Sequence, residues 1–376
     1  MFETLRHVPL IRTGAGCVRL VGTLILAGTT LVAGQNSPRV GMLEQEGWAA
    51  IKAGRADAAS RLFADAIALD PKNAWLRLGA GIAAFLQRRD PEAKAHLEHA
   101  LSLDPKLTQA RVQLAQVVKR QGDLSEAIRL YEIAAAELPG EAGIGDTLER
   151  WKRERELHER MRLEVGDHFT VSFEGPEDAA LAAQALDSLN RAFWRISGVF
   201  GVFPERTIPV VLYSREQFSD ITRSPKWAAA AFDGIIRVPM RGASEKGADL
   251  DRVLAHEFTH ALIRGIATRG LPTWLNEGLA SALEDDDLAW ANRILAPVRQ
   301  RPSLQALSAP FNRLDNRDAQ LAYATSAFAA RRLLDEAGGP AIAQLLRDLG
   351  DGADFETAFL HRIQKSLADF EASLRQ

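Results

Sequence analysis

The sequence predicts two folds in series: an α-helical solenoid over residues 40–145 and an α+β domain over residues 166–376. Three observations carry that expectation. Residues 40–141 repeat with a period of 34, marked by Pro71, Pro105 and Pro139. Beyond residue 167, short alternating segments interleave with segments of helical spacing, the pattern of strands packed on helices. Finally, Val253–Ile263 is apolar on nearly all sides yet contains His256, Glu257 and His260, a buried polar set that must be satisfied.

The first 34 residues stand apart. Arg6, His7, Arg12 and Arg19 precede an uncharged run from Leu20 to Gly34, the charge order of a secretory signal, and the run is short for a membrane span. Val32 and Gly34 suit the positions before a cleavage site. The expectation is export to the periplasm or beyond, with an uncleaved N-terminal anchor as the alternative. Cys17, the one cysteine, precedes the apolar run, so neither disulfides nor thiol chemistry are available to the rest of the chain. Of the 376 residues, 47% are hydrophobic and 25% charged, and the net charge of −3 predicts neither a nucleic-acid nor a membrane-surface partner.

Within each 34-residue unit, small residues recur in register. Ala59, Ala93 and Ala127 lie twelve positions before the prolines and Ala66, Ala100 and Ala134 lie five before, with Phe63, Leu97 and Tyr131 between them. The pattern resembles the tetratricopeptide repeat, whose antiparallel helix pairs cross closely at small residues. Gly47 and Gly81 match the small residue of the first helix, Ala115 replaces it in the third unit, and the usual tryptophan is missing from all three. The resemblance implies three stacked repeats with a concave face for a peptide or protein partner. Leu148–Val165 (LERWKRERELHERMRLEV) is dense in both charge signs, and residues 146–165 are expected to form a solvated helix joining the two domains.

In the second domain His168–Glu174 alternates as a half-buried strand and Asp178–Phe200 has helical spacing. Ile208–Tyr213 and Asp233–Met240 are expected as further strands, the last at an edge because of Pro239. His256 and His260, four apart on a helix, project two imidazoles toward one cation. Glu257 lies beside the first, placed as a general base toward water at the metal. Zinc in a catalytic site takes three protein ligands of nitrogen or carboxylate oxygen, and Glu277 is the candidate third. Gly265, Gly270 and Pro272 end one helix and turn the chain, and a second helix starting near Trp274, with Thr273 as candidate N-cap, returns Glu277 over the histidines. The run Glu284–Asp287 reads as a solvated helix end, and Leu321–Glu336 as an amphipathic helix ended by Gly338 and Gly339.

HEFTH at 256–260 followed by PTWLNEGLA at 272–280 resembles the gluzincin metallopeptidases, more narrowly the peptidase MA-like domains of bacterial proteins. The resemblance spans about residues 167–375 and implies a zincin-like metallopeptidase fold holding one zinc ion on His256, His260 and Glu277, with Glu257 as catalytic base. It implies that an edge strand before the metal helix, at Ile235, Ile236 and Arg237, pairs with an extended polypeptide substrate. Tyr323 and Ser326 match a tyrosine and a serine of the family, which makes Tyr323 a candidate for hydrogen bonding to an oxyanion. The G-x-M-E-N segment of related aminopeptidases is absent upstream of His256, so an endopeptidase is expected rather than an exopeptidase. Two other classes remain open: a non-catalytic adaptor whose zinc-bearing lobe is scaffold, and a zinc amidase acting on cell-wall material.

Overall fold

The computed structural model describes residues 38–374 apart from 176–177, 223–230, 233, 240–246, 286 and 312–313. The segment 1–34, expected as export signal or anchor, lies outside the described residues. Among the described residues no helix is long and apolar enough to cross a membrane. The chain divides into two compact units with the boundary between residues 159 and 160.

In the first unit the 34-residue period becomes antiparallel helix pairs: α1 (Pro38–Lys52) with α2 (Ala56–Leu69), α3 (Ala74–Leu86) with α4 (Asp90–Leu103), and α5 (Thr108–Arg120) with α6 (Leu124–Glu137). Every repeated small residue is fully buried, as are Phe63, Leu97 and Tyr131. The small residues of the first helices receive these large side chains. A Cβ on Gly47 would come within 2.8 Å of the Phe63 ring, and one on Gly81 within 2.7 Å of Leu97 Cγ.

The expected solvated linker is corrected. Helix α7 (Ala142–Arg160) starts 34 residues after α5, just as α5 starts 34 after α3, so it takes the first-helix position of a further repeat. It buries Ile144, Leu148, Trp151, Glu154 and Leu157, a single helical stripe, and Trp151 packs 4.4 Å from the Tyr131 ring. Lys119 Nζ reaches Glu154 at 3.1 Å, which compensates the buried carboxylate. Apart from Glu154 the charges of the helix lie on its other faces, and the helix closes the solenoid.

The second unit holds a five-stranded mixed sheet in the order β1 (Arg162–Val165), β2 (Phe169–Phe173), β3 (Ile208–Tyr213), β5 (Ile236–Pro239), β4 (Ala231–Phe232). β2, β3 and β5 run parallel, and β1 and β4 are antiparallel at the two edges. The long helix α8 (Ala179–Phe200) connects β2 to β3. It buries Ala182, Ala185, Leu189, Phe193 and Ile196 in one core with the strand residues Phe169, Val171, Val210 and Ile236. A short helix α9 (Arg215–Thr222) follows β3, and α10 (Gly247–Ile266) and α11 (Thr273–Leu283) follow the sheet. Then come α12 (Ala289–Leu295), α13 (Asn316–Ala337), α14 (Gly339–Gly350), α15 (Phe355–Ile363) and α16 (Leu367–Ser373).

The expected edge strand at 233–240 is corrected as well. β5 is bonded on one side to β3 and on the other to β4, whose Phe232 and Ala231 pair with Ile236 and Arg237. Ile236 and Arg237 are buried and Ile235 precedes the strand at a bend, so the edge belongs to β4. Among the described residues β4 pairs with residues 236 and 237, and Pro239 lies beyond that pairing.

Candidate metal centre

Helix α10 is enclosed from Leu254 to His260, so its polar side chains must find partners inside the protein. Gly270, at φ 77°, turns the chain after it, at a place where a Cβ would lie 3.1 Å from the Leu349 carbonyl oxygen. α11 then begins at Thr273 with Pro272 as N-cap and no side-chain cap, which corrects the expected Thr273 cap. Gly278 sets the seat of α11. A Cβ there would lie 2.4 Å from the carbonyl oxygen of Ser326 on α13, so only glycine lets the two helices approach this closely.

That approach brings Glu277 back over the two histidines. His256 Nε2 and His260 Nε2 lie 3.2 Å apart, and Glu277 Oε2 lies 3.9 Å and 3.7 Å from them. All three residues are buried, and their donor atoms fall within 4.8 Å of one another. The far side of each imidazole is engaged. His256 Nδ1 donates to Glu284 Oε2 at 2.7 Å and His260 Nδ1 to Asn276 Oδ1 at 3.2 Å. With the ring protons on Nδ1, the two Nε2 lone pairs face one another with no hydrogen between them.

This donor set fits zinc. Zinc–nitrogen bonds of about 2.0–2.1 Å in a tetrahedron require donor separations of about 3.3–3.4 Å, close to the triangle found. Glu277 Oε2 and Glu257 Oε2 are buried without a hydrogen-bond partner among the described residues. A dication between these groups relieves both the lone-pair repulsion and the uncompensated carboxylates.

The electrostatics follow from burial. Burial, then the neighbouring His256, hold His260 down at about 3 against a weaker upward pull from Asn276. Burial lifts Glu277 to about 8, opposed by its hydrogen bond from Asn276. Glu257 is pushed well above the ordinary carboxylate range, first by burial and then by the carboxylates of Glu277 and Glu284. Each group favours its neutral form until a cation arrives.

Residues 190–373 match the Peptidase MA superfamily. The chain carries that domain after a tetratricopeptide repeat matched at residues 50–97. The Peptidase MA match starts inside α8 and contains the whole donor set, whereas β1 and β2 precede it. Among curated proteins, mouse interferon-induced protein with tetratricopeptide repeats 3 is 30% identical over 103 residues, 27% of this chain, and the chain spans only 26% of that relative. Among solved structures, the first TPR of Spaghetti (RPAP3) bound to an HSP90 peptide is 21% identical and covers 32% of this chain and 98% of its own, with a TM-score of 0.31. The second TPR domain of human RPAP3 in complex with an HSP70 peptide is 23% identical and covers 30% and 95%, with a TM-score of 0.29.

Of the residues expected at the site, His256, His260, Glu277 and Glu257 are together in the Peptidase MA domain. Tyr323 lies on α13, one turn before Ser326, buried with its ring edge-on to Phe311 at 5.2 Å. Sequence reasoning missed two groups. Asn276 was legible only as part of the N-E-G segment, and Glu284 was taken into a solvated acidic run. The signal for Glu284 is its spacing: seven residues after Glu277 is two helical turns, so both carboxylates share one face.

Proposed function

We propose that this chain is an exported zinc-dependent peptidase that cuts polypeptides internally, using a solenoid of tetratricopeptide repeats to bind substrate or a protein partner. The observation that carries this is the buried triangle of His256, His260 and Glu277, with Glu257 Oε2, without a hydrogen-bond partner among the described residues, on the helix of the two histidines. Zinc held there supplies polarisation of a substrate carbonyl and an acidified water. Glu257 Oε2 would take a proton from the attacking water and pass it to the leaving amine. Its burial makes it a stronger base than a solvated carboxylate. Asn276 and Glu284 hold the imidazoles so that both Nε2 atoms point inward.

Substrate pairing moves from the expected Ile235, Ile236 and Arg237 to the outer edge of β4, where no further strand is paired among the described residues. Backbone groups at such an edge take an extended peptide as an added strand. Tyr323 is the candidate oxyanion donor, supported by its place on the helix against which α11 is seated. Export rests on the charge order of residues 1–34, and internal cleavage on the missing G-x-M-E-N segment.

The test is digestion of an unfolded protein by the zinc-loaded chain beside Glu257→Gln. Internal fragments from the parent and none from a zinc-bearing variant support the peptidase. Equal cleavage by both would remove Glu257 from the chemistry. No cleavage, with equal partner binding by zinc-loaded and zinc-stripped chains, would make the protein an adaptor. Hydrolysis confined to cell-wall amides would make it an amidase.

A further inference from the structure

β1 is the second edge of the sheet, and among the described residues no strand pairs with its outer side. All four of its residues are exposed, and Leu163 and Val165 present apolar side chains that are 57% and 67% exposed. Strand edges are usually guarded by charge, proline or a bulge, because their free backbone groups otherwise pair with another chain. β1 has no proline, its register with β2 runs unbroken, and its two charges, Arg162 and Glu164, are of opposite sign. A second copy could therefore neutralise them.

The ladder fixes how a copy can pair. Gly166 N–H donates to the Phe169 carbonyl at 2.9 Å, in the register that sets Glu164 opposite Val171 and Arg162 opposite Phe173. Bonded and non-bonded pairs alternate along an antiparallel ladder. The backbone groups of Arg162 and Glu164 thus face β2, and those of Leu163 and Val165 face outward. An antiparallel copy must bond through Leu163 and Val165, which leaves two-fold registers centred on Leu163, Glu164 or Val165. Centring on Glu164 sets two glutamates face to face. Centring on Val165 sets Leu163 opposite Asp167 and Glu164 opposite Gly166, so neither charge of the strand finds its opposite. Centring on Leu163 sets Arg162 opposite Glu164 twice, Leu163 opposite itself, and Met161 opposite Val165 twice. The ion pairs then lie on one face and the apolar pairs on the other. The ion pairs also fall at non-bonded positions, where facing side chains approach most closely.

We propose that β1 is the contact of a two-fold dimer, in which a second copy of this chain pairs antiparallel about Leu163 and joins the two five-stranded sheets into one. The outer edge of β4, at the other end of each sheet, stays open. The contact is short beside a standard interface of about 1,600 Å², so the dimer has modest affinity and depends on its two ion pairs.

Sedimentation velocity of the full chain across a concentration series tests this. The parent should dimerise. Arg162→Glu or Glu164→Arg alone turns both ion pairs into like-charge pairs and should raise the dissociation constant about tenfold or more. The two together restore opposite charges in the same register and should restore the dimer. Both positions are exposed, so the variants keep the fold. Cysteine substitution in a Cys17→Ser chain reads the register. Facing Cα atoms at a bonded pair lie about 5.5 Å apart, within disulfide reach, so Leu163→Cys should crosslink on oxidation and Val165→Cys should not. A parent that is monomeric at every concentration, or single-charge variants that dimerise as the parent does, would overturn the proposal. So would a crosslink at Val165 in place of Leu163. A monomeric parent whose β1 amides gain protection when an unfolded polypeptide is added would assign the edge to that ligand instead.

Discussion

Glu257, Glu277 and His260 show how one enclosed helix sets the chemistry of individual side chains. Burial holds Glu277 at about 8 and His260 at about 3, so near neutral pH both favour their uncharged forms in the absence of metal. The consequence for stability has a definite sign. Glu277 is raised above its unfolded value of 4.5, so its contribution is present below that pH and is lost as pH rises toward 8. His260 is depressed from 6.5, so its contribution is present above 6.5 and is lost as pH falls toward 3. The two trends oppose each other between pH 4.5 and 6.5, and above 6.5 only the loss from Glu277 remains. Thermal melts of metal-free chain should therefore show a falling Tm from pH 6.5 to 8. With zinc the dependence should reverse, because binding requires the deprotonated carboxylate. A Tm independent of pH over that range in metal-free protein would contradict the assigned burial. At the same scale, Glu257→Gln should keep zinc and lose about 10²–10⁴-fold in peptide cleavage, read from initial rates. Tyr323→Phe should lower kcat with little change in KM if its hydroxyl meets the oxyanion.

Among the elements, helices were more legible than edges. The 34-residue period places six repeat helices because each small residue must lie opposite a large one, and Gly47 against Phe63 and Gly81 against Leu97 realise that rule. Helix α7 was hidden because its charges dominate the composition, although Ile144, Leu148, Trp151 and Leu157 already form a helical stripe. The identity of the edge strand was hidden for a different reason. The described part of β4 is two residues, too short for any periodicity, and a sequence cannot say which side of β5 it occupies. Glu284 was lost in its acidic neighbours, because only the fold brings its carboxylate to His256 Nδ1. His256 and His260 were legible because a four-residue helical spacing is local, and Glu277, seventeen residues after His260, because Gly270 and Pro272 turn the chain and return the next helix. One element-level prediction follows from Gly278. Alanine there should cost about 1–3 kcal/mol by overpacking, more than the roughly 1 kcal/mol of helix propensity it gains. Its Cβ meets backbone, which cannot swing aside. Zinc affinity should fall with it, since Glu277 is the adjacent residue. Chemical denaturation and chelator competition check the pair.

At the scale of the whole molecule, two hydrophobic cores share no residue, one centred on Phe63, Leu97 and Tyr131 and the other on Phe169, Phe193 and Phe258. A ligand that binds one folded unit stabilises that unit by mass action. Zinc should therefore slow amide exchange in α10 and α11 and leave the buried amides of α2, α4 and α6 unchanged, as read by mass spectrometry on the intact chain. Protection spreading equally through the solenoid would mean that the repeats respond to the metal.

The central claim is that three buried donors on two helices form a zinc site. The most direct measurement is the metal content of the full chain, purified without chelator or metal-affinity resin, beside Glu277→Ala. About one zinc per chain, sharply reduced in the variant, is the predicted result. No zinc in either protein after reconstitution at neutral pH would contradict it, and His256 and His260 would then be structural histidines.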